Sequence, residues 1–268
     1  MPTPDLTFGC SLSVDEYSDV PEFARRAEAL GFDRVTMGEH LMDGNPPSPT
    51  VLGLPAMAAA AGATRTIRVM TGIVIAPLYD PVLLAKSVTT VDVVSGGRLD
   101  FGIGISGQRG TKIEFDAVGV SVRTRGRRTD EMLQVMKRLW TEEHVSHHGD
   151  FFDFDDVTLV PTSTQKPHPP IWVACSQKDT FTLAGQKGIG ALAFTVGAPG
   201  ETIGPPTCGT GPDDIGQTCI SVMREAGFPM IRLLQSCRFR REPGRSLGRG
   251  TACSCLLFFL GQSWLRRV

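Results

Sequence analysis

Residues 67–104 read IRVMTGIVIAPLYDPVLLAKSVTTVDVVSGGRLDFGIG. The first ten, Ile67–Ala76, are β-branched and almost wholly apolar, as expected of a strand buried on both faces in a parallel sheet. Pro81 then opens a helix that runs to Val94, with Leu83, Leu84, Val88 and Val91 on one side. Gly96 and Gly97 stop it, and Arg98–Ile105 is the next strand. Strand, helix and strand in this order form a βαβ unit.

The same rhythm extends both ways. Upstream, Leu6–Ser11 is a short apolar strand. Asp19 and Glu22 have capping-box spacing, with Pro21 in the first turn. The helix they open carries Phe23, Ala24, Ala27 and Leu30 at helical spacing and ends at Gly31. Arg34–Gly38 is the second strand, and Leu54–Thr64 is an alanine-rich helix. Downstream, a long helix from about Gly126 to Trp140 places Met132, Leu133, Val135, Met136 and Leu139 on its apolar side. Val145–Val160, rich in aromatics and aspartate, reads as a hairpin excursion. Pro167, Pro169 and Pro170 lead stiffly into a strand at Ile171–Cys175. A short helix at Asp179–Gln186 and a sixth strand at Ala191–Val196 follow. Six successive units predict a parallel α/β architecture, either a barrel or a doubly wound sheet.

After Gly200 the pattern fails. Residues 201–268 are rich in Gly, Pro, Cys, Arg and Ser, and five of the seven cysteines lie there. Only Ile220–Ala226 and Leu256–Leu260 stay apolar, and neither continues the earlier periodicity. We expect two parts: a barrel-like region over 1–200 and an irregular tail over 201–268, read as out-of-frame or truncated sequence.

The 268 residues are 41% hydrophobic and 21% charged, enough to bury a core. A net charge of -1 argues against broad capture of nucleic acid, which needs a basic face. No apolar run approaches the ~18 residues of a membrane helix, and no signal peptide is visible. The expected compartment is therefore the cytoplasm.

Four segments together resemble the luciferase-like monooxygenase family. They are AEALGFDRVTMGEH (Ala27–His40), the run from Ile67 to Gly104, RGRRTDEMLQVMKRLW (Arg125–Trp140) and KPHPPIWVACS (Lys166–Ser176). They stand in the family's order and spacing over about residues 5–199. The resemblance, not the strand spacing, selects a TIM (β/α)8-type barrel, here incomplete with about six strand–helix units. It implies an enzyme that oxygenates a small organic substrate with reduced FMN and dioxygen, the flavin supplied by a separate reductase. A second branch of the family uses a deazaflavin, coenzyme F420, and moves hydride; the VTMGEH and DPVLLAKSV stretches suit both. Family members often dimerise, so a homodimer is expected.

The resemblance also assigns residues. His40, after the second strand, matches the histidine of the family's "GEH" strand end, where an imidazole donates a hydrogen bond or moves a proton. Glu39 beside it orients His40 or pairs with an arginine. Ile75, Ala76 and Pro77 match a strand end that in the family carries a bulge, often with a non-proline cis peptide, under the flavin. Gly104 lets the cofactor approach the backbone, and Ser106 lines the site. Ser176, Gln177 and Thr180 match the flavin-phosphate segment, although Asp179 stands near the family's threonine position.

Other readings are bland. Gly102, Gly104 and Gly107 spell G-x-G-x-x-G, but no helix starts promptly after them, so a nicotinamide fingerprint is rejected. Arg123, Arg125, Arg127 and Arg128 read as a solvated face paired with Asp130 and Glu131. His144, His147 and His148 read as surface residues; no metal site is expected there or at Cys253 and Cys255. A barrel lacking its last two units has open edges, so an inactive, truncated barrel stays open as a reading.

Overall fold

The computed structural model describes residues 7–12, 14, 16–42, 49–106, 111–175, 184, 189–193 and 256–259. The chain begins with β1 (Thr7–Ser11), α1 (Val20–Ala29), β2 (Arg34–Met37) and α2 (Gly53–Ala63). Then come β3 (Arg68–Thr71), β4 (Val74–Ile75), α3 (Pro81–Val94), β5 (Leu99–Gly104), α4 (Thr111–Ala117) and α5 (Arg125–Thr141). Strands β6 (Val145–His148) and β7 (Asp153–Val157) form the expected antiparallel hairpin. Strands β8 (Ile171–Cys175), β9 (Gly190–Ala193) and β10 (Leu256–Phe259) complete the described elements.

The main sheet runs β10-β1-β2-β3-β5-β8-β9, with β4 also beside β5. From β1 to β9 the neighbours pair in parallel and follow chain order without a reversal. A doubly wound sheet turns back at a switch point, whereas a barrel does not. The result is a curled, mostly parallel half-barrel with α-helices, the incomplete barrel that the resemblance implies.

Register explains how the core divides. Val35, Val69 and Leu99 are paired neighbours, all fully buried in the cluster shared with α2, α3 and α5. One residue on, the side chains turn to the other face. There Met70, Trp172 and Leu192 make a second, smaller cluster with Ile73. At the N-terminal ends of the strands, Asp100 bridges Arg68 (2.7 Å) and Arg34 (3.4 Å), a charged floor opposite the candidate site. Trp140 on α5 donates its indole N–H to the Ala85 carbonyl of α3 at 3.1 Å, locking the two helices together.

Several expectations need correction. The run 67–76 is not one strand. Met70 pairs with Asp100 and Val74 with Ile103, so four residues on one side span three on the other. This is a bulge of one residue, of the kind the resemblance implies but placed ahead of Ile75. The Gly72–Ile73 peptide inside it is cis, three residues before the position the resemblance suggests. Thr71 repairs the ladder: its hydroxyl accepts from the Gly102 N–H and donates to the Gly102 carbonyl, both at 2.8 Å.

Asp19 and Glu22 form no capping box. Asp19 ends a 3-10 turn over Tyr17–Asp19, so its backbone is already helical and its side chain caps nothing. Glu22 pairs with Arg25 at 2.7 Å instead. Gly31 does end the helix, at φ +82°, with the Phe32 N–H reaching back to Ala27. Leu83 does not join the apolar side of α3; it is 63% exposed, while Leu84, Ala85, Val88 and Val91 are buried. Leu256–Phe259, left without structure in the sequence reading, forms β10 and pairs antiparallel with β1. The helix expected at 179–186 lies outside the described residues except at Ala184.

Candidate active site

The C-terminal ends of β2, β4, β5 and β8 lie side by side on one rim, because these strands are parallel neighbours. In barrels this rim carries function. His40 follows β2, Ile75 ends β4 opposite Gly104 of β5, and Cys175 ends β8.

Glu39 does not orient His40 or pair with an arginine. Its buried carboxylate accepts from the Gly53 N–H at 2.8 Å, the Ile75 N–H at 3.0 Å and the Tyr79 hydroxyl at 2.9 Å. It thus ties β2 to the start of α2, to β4 and to the turn after it. Burial holds its pKa above the ordinary carboxylate value, against the pull of these hydrogen bonds. Burial, and then the Glu39 charge, push the Tyr79 phenol up as well.

His40 finds a different carboxylate. Its Nδ1 lies 3.2 Å from Glu114 Oε2 and 3.3 Å from Oε1. Glu114 Oε1 also accepts from the backbone N–H groups of Leu41 (2.6 Å) and Met42 (3.1 Å). The Thr50 hydroxyl donates to the His40 carbonyl at 2.9 Å, fixing the backbone from the other side. Glu114 stands on α4, a helix the sequence reading missed. Seven residues are too short for a periodic signal, and the polar stretch before it hides the start. The buried pair Glu114 and Phe115 is the one sequence-level hint, an acid beside an aromatic.

The remaining assigned residues fall in three groups. Ile75 and Ala76 are almost wholly buried, so this strand end has backbone rather than side chains to offer a ligand. At Gly104 an added Cβ would lie 2.7 Å from Ile73 Cδ1 and 3.4 Å from Ala174 Cβ. Its smallness therefore makes room for Ile73 of the bulge. Ser106, at φ +54°, shares a hydrogen bond of 2.8 Å with the Thr111 hydroxyl at the start of α4. Ser176, Gln177 and Thr180 lie outside the described residues.

The arginine cluster differs from expectation. Arg128 stacks over Phe152 at 4.3 Å and donates to the carbonyls of Pro77 (3.1 Å) and Tyr79 (3.4 Å). Glu131 takes His147 at 3.1 Å and the Phe151 and Phe152 N–H groups. Arg128 thus braces the turn after β4, while Arg123 and Arg127 stay exposed. Among the described residues, no group of three or more His, Cys, Asp or Glu is placed to hold a metal ion. No helix among them is long and apolar enough to cross a membrane.

A half-barrel whose rim pairs an imidazole with a buried carboxylate beside a bulged strand defines a barrel enzyme scaffold. Comparison with known proteins then fixes the family. The family model for luciferase-like monooxygenases matches residues 6–204, and the chain belongs to that family. The oxygenase component of flavin-dependent trigonelline monooxygenase from Acinetobacter baylyi is 32% identical over 174 residues, 64% of this chain and 47% of that protein. An F420-dependent glucose-6-phosphate dehydrogenase from Kineococcus radiotolerans is 30% identical over 233 residues, 82% of this chain and 62% of that one. Among solved structures, monooxygenase RslO1 from Streptomyces bottropensis matches with a TM-score of 0.62 at 31% identity, over 80% of this chain and 62% of that one. This chain spans about half the length of the first of these relatives.

Proposed function

We propose that this chain is the barrel portion of an oxidoreductase that holds reduced FMN at its C-terminal rim and oxygenates a small organic substrate with dioxygen. The observation that carries the reading is the His40–Glu114 pair beside the bulged end of β4, in a chain of this family. The residues present suit a flavin ring. Leu41, Leu52 and Ile105, in the segments at this rim, keep 40–42% of their surface exposed. They offer a planar, largely apolar ring a matching surface, with His40 as the polar contact.

When bound, the reduced flavin supplies two electrons; one oxygen atom enters the substrate and the other leaves as water. The chain's own residues do simpler things. His40 holds or moves a proton at Nε2. Glu39 and Tyr79 hold the end of β4 in place, and the apolar rim keeps water from the reacting atoms. A separate reductase that renews the flavin, and a second copy of this chain in a homodimer, go with this reading.

A second reading is favoured by the F420-dependent relative that covers most of the chain. Here a deazaflavin occupies the same rim and exchanges hydride with the substrate. One experiment separates them: anaerobic titration of the purified chain with reduced FMN and with F420, followed by exposure to air. Tighter FMN binding with oxygen uptake supports the first, and tighter F420 binding the second. A broad melting transition moved by neither ligand would reject both in favour of an inactive barrel.

A further inference from the structure

Two backbone N–H groups and one imidazole nitrogen converge on one buried carboxylate. The Glu114 side chain is 2% exposed, the Leu41 and Met42 N–H groups donate to Oε1, and the His40 ring presents Nδ1 to both oxygens. A carboxylate has only lone pairs to offer. The ring nitrogen facing it therefore carries the hydrogen. In a neutral imidazole the other nitrogen is then bare. His40 keeps 21% of its side chain exposed, and among the described residues Nε2 has no hydrogen-bond partner.

We propose that Glu114 is a positioning residue that fixes His40 in its Nδ1–H tautomer, so that the rim presents a hydrogen-bond acceptor to its ligand. This rests on the reading of the rim as the reaction site and adds the chemistry of what is bound there. The group held against His40 is a donor, a hydroxyl or an N–H, rather than a carbonyl or another bare oxygen. If that group gives up its proton, the proton moves to Nε2, and the O–H or N–H electron pair stays on the ligand. The imidazolium so formed is balanced from behind by Glu114. Glu39, the other acid next to His40 in sequence, is already engaged by three donors and is not available for this role.

The test is Glu114→Gln. The glutamine oxygen keeps accepting from the Leu41 and Met42 N–H groups, which turns the amide NH2 toward His40. Nδ1 must then accept, and the ring hydrogen moves to Nε2. Long-range 1H–15N spectra of the full chain labelled with 15N-histidine distinguish protonated from bare ring nitrogens, with His40 assigned by its loss in His40→Gln. At pH 8 the unsubstituted protein is expected to show Nδ1–H and bare Nε2, biased at least about tenfold by the charge-assisted bond. The Gln variant is expected to show the reverse. Nε2–H in the unsubstituted protein, or both nitrogens protonated, overturns the proposal, and this reading stands even if the variant fails to fold. A folded variant that keeps Nδ1–H overturns it too. Failure to bind either cofactor with the tautomer as expected removes the functional reading and leaves only the positioning of His40 by Glu114 intact.

Discussion

The carboxylate of Glu39 receives the backbone N–H of Ile75 at 3.0 Å, joining the end of β2 to β4 across the bulge. The same side chain holds the Gly53 N–H and the Tyr79 hydroxyl. Glu39→Ala strands three donors at once, two of them buried. Each costs about 1–3 kcal/mol when left without a partner, so a loss of about 3 kcal/mol is expected in urea unfolding. A loss below about 1 kcal/mol would show that water replaces the carboxylate.

Two glycines give opposite outcomes for the same change. At Gly102 a Cβ would sit 1.9 Å from the Thr71 carbonyl oxygen, a backbone atom with nowhere to go. Gly102→Ala should cost about 3 kcal/mol or more. At Gly62, inside α2, nothing lies within 4 Å of the added methyl. Gly62→Ala should raise stability by up to about 1 kcal/mol, from helix propensity alone. Denaturation midpoints of the two variants that move in the same direction would contradict this.

Adjacent leucines on α3 make a second contrast. Leu84 is fully buried and Leu83 is 63% exposed. Leu84→Ala is expected to lose about 2–5 kcal/mol, and Leu83→Ser to stay within about 0.5 kcal/mol. Comparable thermal melting of the two variants would place both leucines in the core, against the structure.

The hairpin predicts a pH effect. His144 Nδ1 lies 2.6 Å from Asp156, and His148 Nδ1 lies 2.5 Å from Asp153, with Asp155 at 3.2 Å on the other nitrogen. The hydrogen bonds, and then the carboxylate charges, raise both imidazoles above the ordinary value of 6.5. A raised folded value means that their contribution to stability is complete below pH 6.5 and is lost as the pH rises through the raised values. Ring-proton titration by NMR should give both midpoints above 6.5, lowered by Asp156→Asn and Asp153→Asn respectively. Midpoints at or below the ordinary value would mean that the pairs do not form in solution.

What could be read in the sequence was local. Pro81 stands in the first turn of the helix it announces. Gly96 and Gly97 end that helix at φ +67° and +81°. These signals act within a few residues, and the βαβ units were read from their repetition along the chain. The bulge was expected from the resemblance alone and at Ile75–Pro77; its true place is marked only by Gly72, a lone glycine in the run 67–76 that was read as part of one strand. Glu114 escaped because its partner stands 74 residues away and its helix is too short to show a stripe. His40 was legible only by resemblance; nothing in the run VTMGEH by itself says which carboxylate will stand behind the ring.

The antiparallel strand Leu256–Phe259 has a topological consequence. It occupies the flank of β1 at Thr7–Cys10, the seat that a closing strand must take to complete a ring of like-directed strands. Any segment that would seal the barrel by parallel pairing there has first to evict this one.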